Sequence, residues 1–92
     1  MRRIVVRQSA LADLESLASY FDAIDPDITV RIVADIERSV ERLKDFPSIG
    51  GAIPHTDLRR IISRRYRFTI SYFVAPERVE IVGVFRFQNR EG

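Results

Sequence analysis

The sequence predicts a single α+β domain: an antiparallel α-helical hairpin packed on one face of a small, mainly antiparallel sheet, in the order β-α-α-β-β-β. Three observations carry this reading. Two stretches with apolar residues three and four apart follow one another closely, as a helical hairpin requires. Strand-like stretches with short connections then run to the C-terminus. The 92 residues bound the chain to one small domain, 1–92, with one core.

Arg3 to Arg7 reads as the first strand, with Ile4, Val5 and Val6 at its centre. Ser9 suits the N-cap of a helix running to about Asp22. Leu11, Leu14, Ala18 and Phe21, joined by Leu17, share one face of it. Asp25-Pro26-Asp27 starts the second helix: Asp25 caps, Pro26 has φ preset for the first position, and Asp27 suits the positive end of the dipole. This helix runs to about Lys44, with Ile28, Ile32, Ile36, Val40 and Leu43 as its stripe, widened by Val33. Arg31, Asp35, Arg38, Glu41 and Arg42 are expected to face water. The short link between the helices makes them antiparallel neighbours.

Residues 46–54 contain two prolines and two glycines and read as a loop. Strands are expected over 57–62, 65–74 and 79–87. In the second of these, Tyr66, Phe68, Ile70, Tyr72 and Val74 alternate with Arg65, Arg67, Thr69, Ser71 and Phe73. The last places Val79, Ile81, Phe85 and Phe87 against Val82 and Val84, so it should be central or covered on its outer side. The hairpin covers one sheet face; the other must be solvated or occupied by a partner. The position of the first strand in the sheet is left open.

Net charge is only +2, but it is unevenly placed. Residues 1–47 carry seven bases against nine acids, and residues 48–92 carry eight bases, all Arg, against four acids. The C-terminal half is therefore the expected anion-facing half. Codon usage accounts most simply for the Arg total, but not for its clustering. Arg59, Arg64, Arg65, Arg67, Arg86 and Arg90 form the candidate functional basic face. No apolar run is long enough to span a bilayer, and only three apolar residues follow the basic start, so a cytoplasmic, unprocessed chain is expected. There is no Cys and one His, so neither a metal nor another cofactor is expected. His55 reads as a solvated loop side chain rather than a general base. Tyr20, Tyr66 and Tyr72 read as packing residues.

The order of elements resembles the RelE/ParE toxin fold, and short motifs agree along nearly the whole chain. Ala12-Asp13-Leu14 followed by Tyr20 resembles the family's first helix, and Pro47-Ser48-Ile49-Gly50 resembles its "P-x-x-G". Leu58-Arg59 resembles its "L-R", and Tyr66 to Tyr72 its "Y-R-I-x-Y" strand, two residues longer here. Arg90-Glu91 resembles its terminal "R-[DE]". The resemblance implies the toxin of a type II toxin–antitoxin system, held inactive by a cognate antitoxin in a hetero-oligomer. Phe73, Phe85 and Phe87 are the candidate antitoxin anchors.

ParE-like members inhibit DNA gyrase; RelE-like members cleave messenger RNA on the ribosome. For the nuclease alternative, Arg59, Arg65 and Arg90 would supply positive charge at the scissile phosphate. The acid–base pair has no evident carrier: the position matching the family's His is Arg86, no Tyr follows Arg90, and the Lys-rich loop is missing. A guanidinium stays protonated and is a poor proton shuttle. The ParE-like reading is therefore favoured. A non-toxic binding module of the same fold is the third reading.

Overall fold

The computed structural model describes residues 1–86. The elements are β1 (Arg3–Val6), α1 (Gln8–Asp22), α2 (Pro26–Glu41) with a short 3-10 turn (Arg42–Lys44), β2 (Gly51–Ala52), β3 (Arg59–Ile62), β4 (Phe68–Val74) and β5 (Arg78–Arg86). The sheet order is β1-β5-β4-β3-β2. β1 runs parallel to β5, and all other pairs are antiparallel. The expected α+β architecture is thus present, and the first strand lies at the edge beside the last. Among the described residues no helix is long and apolar enough to cross a membrane.

α2 begins as its sequence dictates: Asp25 Oδ1 accepts from the Asp27 N–H (3.0 Å), with Pro26 at the first position. α1 does not begin at Ser9. Arg7 is its N-cap, without a side-chain cap, and still donates its N–H to Ile81 in the sheet (2.9 Å). Because β1 ends there, the outer edge of β5 would be bare beyond Ile81. The first turns of α1 take over: Ser9 Oγ donates to the Val82 carbonyl (2.6 Å), and Asp13 Oδ2 accepts from the Val84 N–H (3.0 Å). Ser9 is spent on continuing the ladder, which is why it is not a cap.

The core lies between the sheet and the hairpin, with Tyr72, Ile32, Leu43, Ile70, Ile81 and Val79 its largest fully buried side chains. Burying each aliphatic side chain contributes about 1.5–3 kcal/mol. β5 departs from simple alternation. Ser71 pairs with Gly83 but Tyr72 pairs with Ile81, so Val82 is an extra residue. This bulge turns Val84 onto the same side as Val79 and Ile81. It also puts Phe85 opposite Thr69 on the face away from the helices, where it is 51% exposed. The expectation that Phe85 shares a face with Val79 and Ile81 is therefore corrected.

β4 starts at Phe68 rather than Arg65. Residues 63–67 make a tight turn: Ser63 and Phe68 exchange backbone and side-chain hydrogen bonds (2.8 and 2.9 Å), and Arg67 takes φ 62°. Arg65 and Arg67 are thus turn residues, not members of the open sheet face. A two-residue strand, β2, also forms inside the expected loop and pairs with β3.

Candidate functional site

Two polar devices hold the loops at opposite ends of β3. At the first, the Tyr72 hydroxyl donates to the Pro47 carbonyl (2.7 Å) and accepts from the Gly50 N–H (2.9 Å). Gly50 must lack a side chain, since a Cβ would lie 2.5 Å from that hydroxyl and 2.6 Å from the Arg60 carbonyl. Arg59, paired across the strands with Tyr72, donates to the Gly50 carbonyl (2.6 Å) and reaches that of Ser48 (3.4 Å). Burial pushes the Tyr72 pKa up, against the Gly50 hydrogen bond and the Arg59 charge, so the hydroxyl keeps its proton. Pro47, Gly50, Arg59 and Tyr72 are therefore parts of one clamp.

At the other end, Asp35 is 2% exposed, although its neighbours on α2 suggest a water-facing position. Oδ1 accepts from the Arg65 N–H (3.2 Å) and Oδ2 from the Tyr66 N–H (2.8 Å). Burial pushes the carboxyl up, but those bonds, a hydrogen bond from Ser63 and the charge of Arg38 together hold it below the ordinary aspartate value. The turn is thus tied to α2 by an ionised carboxylate. Tyr66 packs partly against the core. Arg64, Arg65 and Arg67 are carried outward by this turn and are exposed.

The face away from the helices carries Arg60, Ser71 and Gly83 in one cross-strand row, and Ile62, Thr69 and Phe85 in the next. Farther along, Phe73 pairs with Glu80. Glu80 accepts from Arg7 (2.6 Å) and Arg78 (2.5 Å), and these two bonds hold its pKa low. The Arg7 guanidinium lies 5.9 Å over the Phe73 ring. Phe73 is half-buried beneath it, whereas Phe85 and Ile62 are open.

Arg86 lies at the end of β5 on the helix side, 5.8 Å from the Tyr20 ring and 5.7 Å from that of Phe21. Tyr20 is 55% exposed and meets Phe21 edge-on, so it is a surface partner of Arg86 rather than a core residue. Along β1, a groove of 410 Å³ opens between strand and helices, lined by Ile4, Val6, Leu14, Ile36 and Val40. β1 has no strand on its outer edge among the described residues. His55 is exposed in a left-handed turn conformation at φ 64°.

The candidate arginines do not share one face. Arg59 is in the clamp, Arg64, Arg65 and Arg67 are in the β3–β4 turn, and Arg86 is with the α1 aromatics. Arg90 and Phe87 lie outside the described residues. Among the described residues no group of three or more His, Cys, Asp or Glu side chains could hold a metal ion. Asp35 and Glu80 are the functional-looking residues that sequence reading missed. The only signal for Asp35 was its place beside Ile32, Ile36 and Ser39 at the margin of the apolar stripe.

The family model for the ParE toxin of the parDE type II toxin–antitoxin system matches residues 4–91. Among solved structures, a chain of the chromosomal ParDE TA system from P. aeruginosa superposes with a TM-score of 0.84 at 20% identity, covering 96% of this chain and 98% of that one. No curated protein matches the chain.

Proposed function

The chain belongs to the ParE toxin family of type II toxin–antitoxin systems, and from that premise we propose that it arrests growth by inhibiting DNA gyrase and is neutralised by a cognate antitoxin. The observation that carries the inhibitor reading over the nuclease alternative is the employment of Arg59. A phosphate-neutralising arginine needs its donors free. Arg59 commits Nη1 to two loop carbonyls, which fixes its guanidinium against the loop. Arg65, the other described member of the nuclease set, stands beyond the opposite end of β3, and two arginines so placed do not converge on one phosphate.

The antitoxin would supply an acidic and apolar segment. The open face suits it: Phe85 and Ile62 are exposed apolar anchors, Phe73 lies under Arg7, and Arg60 adds charge beside them. Phe87, outside the described residues, belongs to the same proposal as an anchor candidate from the sequence. The groove along β1 offers aliphatic seats and a free strand edge for the same partner.

Induction of the chain without its antitoxin, with DNA supercoiling and message integrity read in the same culture, tests the target. Relaxed or cleaved DNA with intact messages is the expected outcome. Cut messages with normal supercoiling would replace this reading with the nuclease one. No growth defect at all would leave a non-toxic binding module.

A further inference from the structure

Three arginines lie on a surface that neither the clamp nor the open sheet face uses. Arg31 and Arg38, two turns apart on α2, line a hollow of 250 Å³ with Ala34 and with Arg65 from the β3–β4 turn. All three arginines are exposed. Among the described residues, none of them is in an ion pair. What brings Arg65 to α2 is Asp35, which holds the turn by the backbone N–H groups of Arg65 and Tyr66. That carboxylate is buried and both its oxygens are taken by backbone N–H groups, so it positions the cluster while offsetting only part of the charge, that of Arg38. Three like charges around one hollow repel one another unless an anion sits among them.

Past the end of α2, Arg42 of the 3-10 turn and Arg60, which β3 carries at the margin of the open sheet face, line a second depression with Ile49 and Gly51. From Arg31 to Arg42 the helix axis advances about 16 Å. One strand of duplex nucleic acid presents a charge about every 3.4 Å of helix axis, so arginines spread over that length can meet several phosphates. A carboxylate is satisfied by one guanidinium fork; a phosphate accepts donors from several directions. The first hollow has no aromatic or large apolar anchor of the kind a protein partner would need.

We propose that Arg31, Arg38 and Arg65, continued by Arg42 and Arg60, form a binding site for the phosphodiester backbone of nucleic acid, with no base readout. The site does not depend on the gyrase reading, since it requires only the backbone.

The test is fluorescence-anisotropy titration of the full chain against a labelled DNA duplex, an RNA duplex of the same sequence and a poly-glutamate peptide, between 50 and 200 mM salt. The wild-type chain is expected to bind at least one duplex with an affinity that falls steeply with salt, the log–log slope changing by about 0.9 per phosphate contacted. Arg31→Gln/Arg38→Gln/Arg65→Gln should weaken that binding at least tenfold and flatten the slope. Arg3→Gln, an exposed base at the β1 edge, should leave it unchanged. Thermal melting verifies that the triple variant is folded, since its Asp35 hydrogen bonds come from the backbone. Preference for the DNA or RNA duplex, or equal binding of both, identifies the source of the backbone and supports the site. The proposal is overturned if the duplexes do not bind at 50 mM salt, if the folded triple variant binds as wild type does, or if poly-glutamate binds more tightly than either duplex.

Discussion

The loops at the two ends of β3 are held by related arrangements, one neutral and one charged. At one end a buried hydroxyl, Tyr72, takes one bond from a backbone N–H and gives one to a carbonyl. At the other a buried carboxylate, Asp35, takes two bonds from backbone N–H groups. The hydroxyl keeps its proton because burial raises its pKa. The carboxylate loses its proton because its donors and Arg38 outweigh burial. The arginines follow the difference. At the neutral clamp, Arg59 is fixed through Nη1 on loop carbonyls. At the charged anchor, Arg65 is tied only by its backbone, and its guanidinium faces outward. An arginine in a family motif can be a strut, and one in an unremarked turn can be the free charge.

The comparison breaks hardest at Asp35. Asp35→Ala should cost about 3 kcal/mol in urea unfolding, because two N–H groups in the part-buried turn lose a charged acceptor. Asp35→Asn, which keeps one acceptor, should lose about half as much. If both variants melt with the wild type, the turn is held by something else.

At the clamp the expected effect is smaller. Gly50→Ala should cost about 2 kcal/mol, since its methyl group meets the Tyr72 hydroxyl and a backbone oxygen that cannot both retreat. Tyr72→Phe should cost about 1.5 kcal/mol by leaving the Gly50 N–H and the Pro47 carbonyl without their partner.

Acid separates the two ends without mutation. Asp35 has a folded pKa below its unfolded one, so its stabilisation is complete above the unfolded value and is lost as pH falls through the folded value. Glu80, held low by Arg7 and Arg78, acts in the same sense. The neutral Tyr72 clamp should be indifferent there. Its pKa is raised, so its contribution is present below the unfolded tyrosine value and lost only as pH rises beyond it. Melting temperature against pH should therefore fall in acid, and less so in Asp35→Asn than in wild type. An equal acid slope in both would remove Asp35 as a source.

The smallest effect lies in the β2–β3 loop, at His55. A non-glycine residue at φ 64° is strained. His55→Gly should gain up to about 1 kcal/mol, and loss of stability would mean that the imidazole makes a contact of its own.

Much of this was legible in the sequence. The stripe from Ile28 to Leu43, the Asp25-Pro26 start and the alternation from Phe68 to Val74 gave the hairpin and the meander, because each is written in local spacing. What local spacing could not carry was long-range. Arg65-Tyr66-Arg67 alternates like strand, yet it is bent into a turn by Ser63 and by Asp35, thirty residues away from Arg65. Val82 looks like any strand valine until the pairing of Ser71 and Tyr72 makes it a bulge. Ser9 reads as a cap until β5 claims its hydroxyl. The placement of the described arginines shows the same limit: Arg59 and Arg65 are close in sequence, but one starts β3 and the other sits in the turn beyond it.

The most direct test of the account is supercoiling by purified gyrase in the presence of the full chain, wild type and Arg59→Gln compared at a temperature where both are folded. Inhibition by both, at the same potency per folded molecule, is the predicted result. Gyrase untouched by the wild-type chain would contradict the target, and a folded but inert Arg59→Gln variant would contradict the reading of Arg59 as a strut.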